Sequence, residues 1–278
     1  FGAITNYQDA RIVVTAGGLN TRGIIDAKNN TLYITNDVSV QMLASDFRGS
    51  KVGGDGALHK SGTALFLLRF NTALTGDIVV RDGELRVGTG TQSGAGRMRL
   101  QAGATLGYAA ARTLAKPVLF EADATIGGNA NGALTITNFV DLGGATRTIT
   151  VAATNTISGI ITNGGLTKAG TVRAGVLNLN GANTYAGDTR VAAGTLILNN
   201  TLALQNSTLD MNAGDSGTLS FGSPTVFTLG GLTGSRNLNL GGKVVSVGNN
   251  NASTTYSGQL SNGTLTKIGN GTLTLSGT

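Results

Sequence analysis

The sequence predicts an all-β chain folded as a parallel β-helix, a solenoid of stacked coils that extends as an elongated rod. Three observations predict this fold class. A degenerate repeat recurs along the chain, with its conserved lysines Lys60, Lys168 and Lys267 separated by 108 and 99 residues. Apolar residues alternate at every second position inside the repeat, and the composition is aliphatic and rich in glycine.

The repeat is clearest between Gly164 and Leu198, which read GGLTKAGTVRAGVLNLNGANTYAGDTRVAAGTLIL. Related segments begin at Gly56 and Gly263. Since internal similarity at a fixed period indicates a repeat architecture, we interpret residues 1–278 as one continuous solenoid with motif copies at 56–88, 164–198 and 263–278. The aligned positions are Leu58, Leu166 and Leu265; Lys60, Lys168 and Lys267; Gly62, Gly170 and Gly269; Gly76 and Gly187; Gly83 and Gly194.

Alternation of apolar residues identifies the strands of each coil. Leu177 and Leu179, and then Leu196 and Leu198, have the period of two that places one side of a strand in a core. Turn signals such as Asn163-Gly164 recur at roughly 8–12 residue spacing, as in an all-β protein. We therefore expect coils of about 20 residues whose strands are about 4.8 Å apart. The Ala-rich segment Tyr108–Lys116 is the one place where a helical turn is expected.

Composition favours stacked coils over a string of immunoglobulin-like sandwiches. The chain has 44 glycines, 2 prolines and no Trp, and aromatic residues make up only 5%. A sandwich core is normally filled by bulky residues that include a Trp or a cornering Tyr. Narrow aliphatic ladders suit coils in close stacking, so the parallel β-helix is preferred.

Two of the segments resemble the autotransporter-associated β-strand repeat of bacterial passenger proteins. The resemblance lies in Gly164–Leu198 and in GTLTKIGNGTLTLSG at Gly263–Gly277, and it is degraded in Gly56–Val87. It implies a right-handed parallel β-helix, export to the bacterial cell surface across the outer membrane, and a role in display, adhesion or outward passage. It also implies an extracellular location.

Several classes of partner are disfavoured by composition and charge. The chain has no cysteine, and its net charge of +6 comes from scattered residues without a basic stripe, so a nucleic-acid surface is not expected. The longest apolar run, Ala64–Phe70, is far shorter than a membrane-spanning helix. Because the chain starts Phe1-Gly2 without Met, we expect Phe1 and Thr278 to be boundaries within a longer protein or contacts with a neighbouring copy.

The histidine and the repeat lysines occupy positions that indicate their roles. His59 is the one histidine, and it occupies the slot that holds Thr167 and Thr266 in the sister copies; we interpret it as an outward surface residue and not a catalytic base. Lys60 and its aligned lysines would share a face with a buried Leu if the strand continued. A buried lone ammonium is costly, so we expect the strand to turn there and the lysine to lie at a corner.

An enzymatic alternative remains open, because glycan-processing enzymes also use β-helices. The candidate carboxylates are Glu121, Asp123, Asp210 and Asp215, although spacing does not place two of them on one face. The segments Gly53-Gly54-Asp55-Gly56 and Gly127-Gly128-Asn129 are similar to calcium-binding repeats, but neither recurs in tandem, and both are interpreted as turns.

The sequence therefore predicts a non-enzymatic surface protein, an adhesin stalk or fibre component, with no catalytic, cofactor-binding or metal-binding residues. Its expected partners are other copies of itself, in an end-to-end or fibre arrangement, and a glycan or host-surface ligand. A glycan-processing or glycan-binding β-helix is the alternative. Neither nucleic-acid binding nor membrane insertion is expected.

Overall fold

The computed structural model describes residues 4–5, 7–15, 24–42, 46–68, 72–88, 95–108, 110–127, 133–170 and 175–277. Phe1, Thr278 and the segment Gly128-Asn129 lie outside these ranges. The chain divides into two compact units, unit 1 (Phe1–Phe139) and unit 2 (Val140–Thr278). Every strand pairing described within each unit is parallel, so each unit is an all-β parallel solenoid, as predicted.

Unit 1 contains seventeen strands in its described part. They are β1 (Ile4–Thr5), β2 (Ala10–Val14), β3 (Ile24–Asp26), β4 (Leu32–Asn36), β5 (Val40–Met42), β6 (Asp46–Gly49), β7 (Leu58–Ser61), β8 (Phe66–Leu68), β9 (Thr72–Leu74), β10 (Ile78–Val80), β11 (Gly83–Val87), β12 (Met98–Leu100), β13 (Ala104–Tyr108), β14 (Arg112–Leu114), β15 (Val118–Phe120), β16 (Ala124–Ile126) and β17 (Leu134–Ile136).

Unit 2 contains thirteen strands in its described part. They are β18 (Val140–Val151), β19 (Thr154–Ile157), β20 (Ile161–Gly170), β21 (Val176–Leu179), β22 (Thr189–Val191), β23 (Thr195–Leu198), β24 (Leu204–Met211), β25 (Thr218–Phe221), β26 (Val226–Gly234), β27 (Leu238–Val247), β28 (Thr254–Tyr256), β29 (Leu260–Lys267) and β30 (Leu273–Leu275).

The pairing register gives the length of one coil. Ile78 pairs with Met98, 20 residues further on. The shortest described step, 18 residues, joins Val226 to Val244, and the longest, 26 residues, joins Leu32 to Leu58. The expected coil of about 20 residues is therefore confirmed, because each strand hydrogen-bonds to the strand one coil away and not to its neighbour in sequence.

The core of each unit is a set of aliphatic ladders along the stack. In unit 1, one ladder runs through successive strand partners that are all fully buried: Leu32, Leu58, Ile78, Met98 and Val118. In unit 2, Leu177 pairs with Leu196, and both side chains are 0% exposed. Burial of one such side chain contributes roughly 1.5–3 kcal/mol, and the contribution is repeated at every coil.

The expected helical turn at Tyr108–Lys116 is wrong. The described part of this segment forms the end of β13 and strand β14, where Arg112 to Leu114 pair in register with Leu134 to Ile136. Intrinsic helix propensity of a few alanines is worth only tenths of a kcal/mol per residue, and the strand ladder outweighs it. Within the described ranges no helix has the length and apolar character of a membrane span.

Candidate functional site

The repeat lysines do not lie where the sequence placed them. Lys60 lies inside β7 and Lys168 inside β20, so the strand does not turn at either residue. Both side chains are 0% exposed and point to the same side as the buried Leu58 and Leu166. The prediction of a strand corner is therefore wrong for these two lysines, although their ammonium groups do reach a corner.

Each buried ammonium donates to backbone carbonyls of turns on two coils. Lys60 Nζ is 2.5 Å from Gly62 O, in its own coil, and 2.5 Å from Asp82 O, in the next one. Lys168 Nζ donates to Gly175 O and, at 2.8 Å, to Ala193 O of the next coil. We call this arrangement at Lys60 and Lys168 the lysine clip; it pairs a buried charge with backbone carbonyl acceptors.

The aligned glycines explain why the clip fits. Asp82 and Ala193, which supply the carbonyl from the next coil, immediately precede Gly83 and Gly194, two positions that were aligned from sequence. Both glycines have positive φ, at 66° and 71°. A Cβ on Gly83 would lie 2.6 Å from Lys60 Nζ, and one on Gly194 would lie even closer to Lys168 Nζ. The repeat therefore preserves a lysine and a glycine because they meet across consecutive coils.

Burial has an electrostatic consequence for the clips. It lowers the pKa of Lys60 and of Lys168 to about 8 because the charged form loses water. The carboxylate of Asp82 and its acidic neighbours partly oppose this effect at Lys60. The third aligned lysine, Lys267, is exposed, and its Nζ contacts Ile268 O and Gly269 O of its own turn.

A further buried lysine was missed from the sequence. Lys116 is 0% exposed, and its Nζ donates to Leu74 O at 2.6 Å and to Gly96 O at 3.2 Å. Burial lowers its pKa to about 8. It has no counterpart in the aligned copies, so the repeat gave no signal for it.

His59 is not the surface residue that the sequence indicated. Its side chain is only 8% exposed, because the ring of Tyr33 lies against it with centroids 5.3 Å apart. The nearest carboxylate oxygen, Asp55 Oδ1, is 3.4 Å from His59 Nδ1. Asp55 also accepts a 2.6 Å hydrogen bond from the Tyr33 hydroxyl, so its carboxylate is shared between two side chains.

The four candidate carboxylates are divided between the units. In unit 1, Glu121 accepts from Arg99 and from Gln101, and Asp123 is exposed. In unit 2, both oxygens of Asp215 accept from the guanidinium of Arg190 at 2.6–2.9 Å.

Asp210 is the Cα partner of Arg190 on the adjacent strand, so the structure brings it near Asp215. Desolvation raises the pKa of Asp210, the positive charge of Arg190 opposes this rise, and Asp188 and Asp215 add to it. The Asp215 side chain is 2% exposed. A carboxylate with both oxygens bound to Arg190 joins neighbouring coils and is poorly placed to meet a substrate.

The Gly53–Gly56 segment is a turn, as predicted. Gly53, Gly54 and Gly56 have φ values of 74°, 51° and 69°. Among the described residues no group of three or more His, Asp or Glu side chains could hold a metal ion. Gly127 has a φ of 91°, and the rest of the second glycine segment is outside the described residues.

Unit 2 has a concavity of about 390 Å³. Four of its lining residues are glycines, and the polar ones are Thr146, Asn163, Thr184 and Tyr185. None of the described residues that line it is charged.

Comparison with known proteins supports the sequence resemblance. The sequence pattern of the passenger-associated-transport-repeat family matches residues 166–198 and 265–278. The chain thus carries two segments that match the passenger-associated-transport-repeat. The first matched segment contains Lys168 and Gly194, which form one of the two clips. The equivalent clip at Lys60 and Gly83 extends the same local structure to the degraded copy at Gly56–Val87.

A curated relative agrees with this family. The chain is 40% identical over 149 residues to the adhesin BmaC autotransporter of Brucella suis biovar 1 (strain 1330), and the alignment covers 49% of the chain. It spans about 4% of that relative's length. No solved structure matches the chain.

Proposed function

We propose that this chain is a scaffold segment of an autotransporter passenger displayed outside a bacterial cell, where it serves as a non-enzymatic stalk or fibre component of an adhesin. The observation that carries this proposal is the lysine clip, which occurs at Lys168, inside a matched passenger repeat, and again at Lys60, in the degraded copy. In these two copies the repeat's lysine joins one coil to the next and does not face solvent, whereas Lys267 of the last copy is exposed.

The other charged residues of the candidate sites support the same proposal. Asp215 is paired with Arg190, and Glu121 is paired with Arg99. Groups held in ion pairs between coils contribute to a stack whose stability is a sum of neighbour interactions along it. We propose that the stack is continuous over residues 1–278, which would make the segment an extended spacer.

The proposed spacer role also indicates which partners the segment has. As a spacer, the segment would contact other copies of itself end to end or in a fibre, and the glycan or host-surface ligand of the adhesin would bind elsewhere on the passenger. The scattered net charge of +6 permits only a generic attraction to acidic polysaccharide.

Surface display is tested with antibodies raised against the purified chain. Cells that produce the protein are labelled with and without permeabilisation. We expect intact cells to be labelled as strongly as permeabilised ones. Labelling that requires permeabilisation would contradict display.

The stalk role is tested by competition. The purified chain is added in excess while producing cells attach to host cells. We expect attachment to be unchanged, because a spacer holds no ligand site. Inhibition by the chain, or its retention on a glycan array, would contradict the stalk role and favour the glycan-binding alternative.

A further inference from the structure

His59 occupies an unusual position for a histidine on the outward side of a strand. Its Cα partners on the neighbouring coils are Tyr33 and Val79. Its Nδ1 atom is buried, and its nearest described acceptor, Asp55 Oδ1, lies 3.4 Å away without the geometry of a hydrogen bond. A buried nitrogen without a well-formed hydrogen bond, in a residue that is only 8% exposed, is costly, so the surrounding structure must hold this arrangement in place.

The segment that helps to cover His59 is the Gly53–Gly56 loop. Three contacts from other coils hold the loop backbone: Gly53 N donates to Asp77 Oδ2 at 3.0 Å, Arg99 Nη1 donates to Gly54 O at 2.5 Å, and Thr31 Oγ1 donates to Gly56 O at 2.8 Å. A fourth contact is the 2.6 Å hydrogen bond from Tyr33 to Asp55. Through Asp55 the loop is thus linked to the aromatic ring that packs against His59.

The charges around His59 do not favour its protonation. Burial is the main cause that lowers the pKa of His59 below its ordinary value, and the nearby guanidinium groups add to the effect while Asp55 opposes it. Lys51 contributes a further positive charge on the loop, next to Asp55. The charged and titratable groups that face this cluster are Asp9 from the segment before β2, Arg11 from β2, Tyr33 from β4, Lys51 and Asp55 from the loop region, and Arg81 from the segment after β10.

We infer that His59 is an acid-sensitive lock on the Gly53–Gly56 loop, and that proton uptake by its imidazole loosens the loop and the β7 coil of unit 1. Protonation places a charge at a largely buried site, where the charges of Arg81 and Arg11 oppose it and the carboxylate of Asp55 favours it. The unfolded chain takes up the proton near pH 6.5, whereas the folded site takes it up only at lower pH. Stability is therefore complete above pH 6.5 and falls as the pH is lowered through that value.

The histidine can be observed directly, because the chain contains one histidine. A pH titration of its ring protons by NMR on the whole chain should give one curve with a midpoint below 6.5. A midpoint at or above 6.5 would overturn the inference, and this measurement needs no variant.

The coupling to the loop is tested with His59→Thr, which installs the residue found at Thr167 and Thr266. Amide hydrogen exchange is compared at pH 7 and pH 5 after correction for the intrinsic rates. In the wild type, protection of the β7 amides should fall more between pH 7 and pH 5 than in His59→Thr, because only the wild type has a buried imidazole whose protonation favours the unfolded segment. Amides of β21 and β23 in unit 2 are the internal control and should behave identically in both proteins.

Equal loss of β7 protection in the two proteins would overturn the lock. So would a wild type that gains protection at pH 5, since that would mean that the imidazolium strengthens its contact with Asp55. If His59→Thr does not fold, His59→Gln takes its place in the same comparison, because Gln is a neutral polar side chain of a length similar to that of His.

Discussion

Replacement of Lys168 by Met tests the lysine clip as a source of stability. Met keeps an unbranched side chain that can fill the buried space, but it cannot donate to Gly175 O or Ala193 O. Gly175 O retains one partner, since it also accepts from Thr195 N at 3.1 Å. Hydrogen bonds from a charged donor are worth roughly 1.5–3 kcal/mol each.

Relief of the ammonium's desolvation offsets part of this loss. We expect Lys168→Met to lower the free energy of unfolding by about 2 kcal/mol, on the scale measured for buried hydrogen-bonded groups. The assay is urea unfolding of the whole chain, followed by circular dichroism.

Lys267→Met is the matched control, because Lys267 occupies the aligned slot but is exposed. Its effect should stay within about 0.5 kcal/mol, as for surface substitutions in general. Equal losses for the two variants, or a gain of stability in Lys168→Met, would refute the reasoning that the carbonyls require the ammonium.

Three further changes follow from named contacts. Burial lowers the folded-state pKa of Lys168 to about 8, whereas the unfolded chain keeps that proton up to about pH 10.5. The free energy of unfolding should therefore rise between pH 7.5 and pH 9.5 in the wild type. Urea unfolding at these two pH values should show a smaller rise in Lys168→Met. Asp77→Asn should destabilise unit 1 by about 3 kcal/mol, because the fully buried carboxylate accepts from Gly53 N, Arg97 N and Arg97 Nη2. Amide hydrogen exchange of β10 should become faster, and unchanged exchange would contradict this. Gly194→Ala should cost about 1–3 kcal/mol in the same urea assay, owing to its positive φ, and a neutral result would contradict the clip geometry.

The repeat and the alternation were sufficient to predict the fold. Leu58 and Leu166 are fully buried as expected, since the period of two fixes which side of a strand faces the core. The recurrence of glycine at the aligned positions Gly76 and Gly187 also has one physical reason. A Cβ at either position would lie 2.4–2.6 Å from a carbonyl oxygen of the preceding coil, so close stacking excludes a side chain there.

The buried polar contacts were not predictable, because they join residues on different coils. The sequence shows that Lys168 recurs, but the cost of burying an ammonium argued for exposure until its carbonyl partners were located. Tyr185, Thr189 and Ser207 form a buried chain of hydroxyl contacts at 2.7 Å per step, which the sequence analysis also missed. The Tyr-x-Gly pattern shared by Tyr185 and Tyr256 was the sequence feature that could have indicated a buried tyrosine at these positions.

His59 was misplaced for a related reason. Alternation correctly assigned it to the outward side of β7, but outward is not the same as exposed when a neighbouring coil supplies an aromatic ring and a covering loop. The 26-residue step from Leu32 to Leu58 leaves room for that loop, and coil length varies too much for the sequence alone to reveal it.

Engineered disulfides test the stacking of parallel coils most directly, because the chain has no native cysteine. Asn178 is the Cα partner of Ile197, and Ile197 is the partner of Ser220 on the following coil. Neighbouring strands are about 4.8 Å apart, inside the range of about 4.4–6.8 Å that a disulfide requires. The structure predicts that the Asn178→Cys/Ile197→Cys variant rapidly forms a disulfide on oxidation. The Asn178→Cys/Ser220→Cys variant, whose cysteines lie two coils apart, should form none. Cross-linking of the second pair, or failure of the first in a folded protein, would contradict the solenoid.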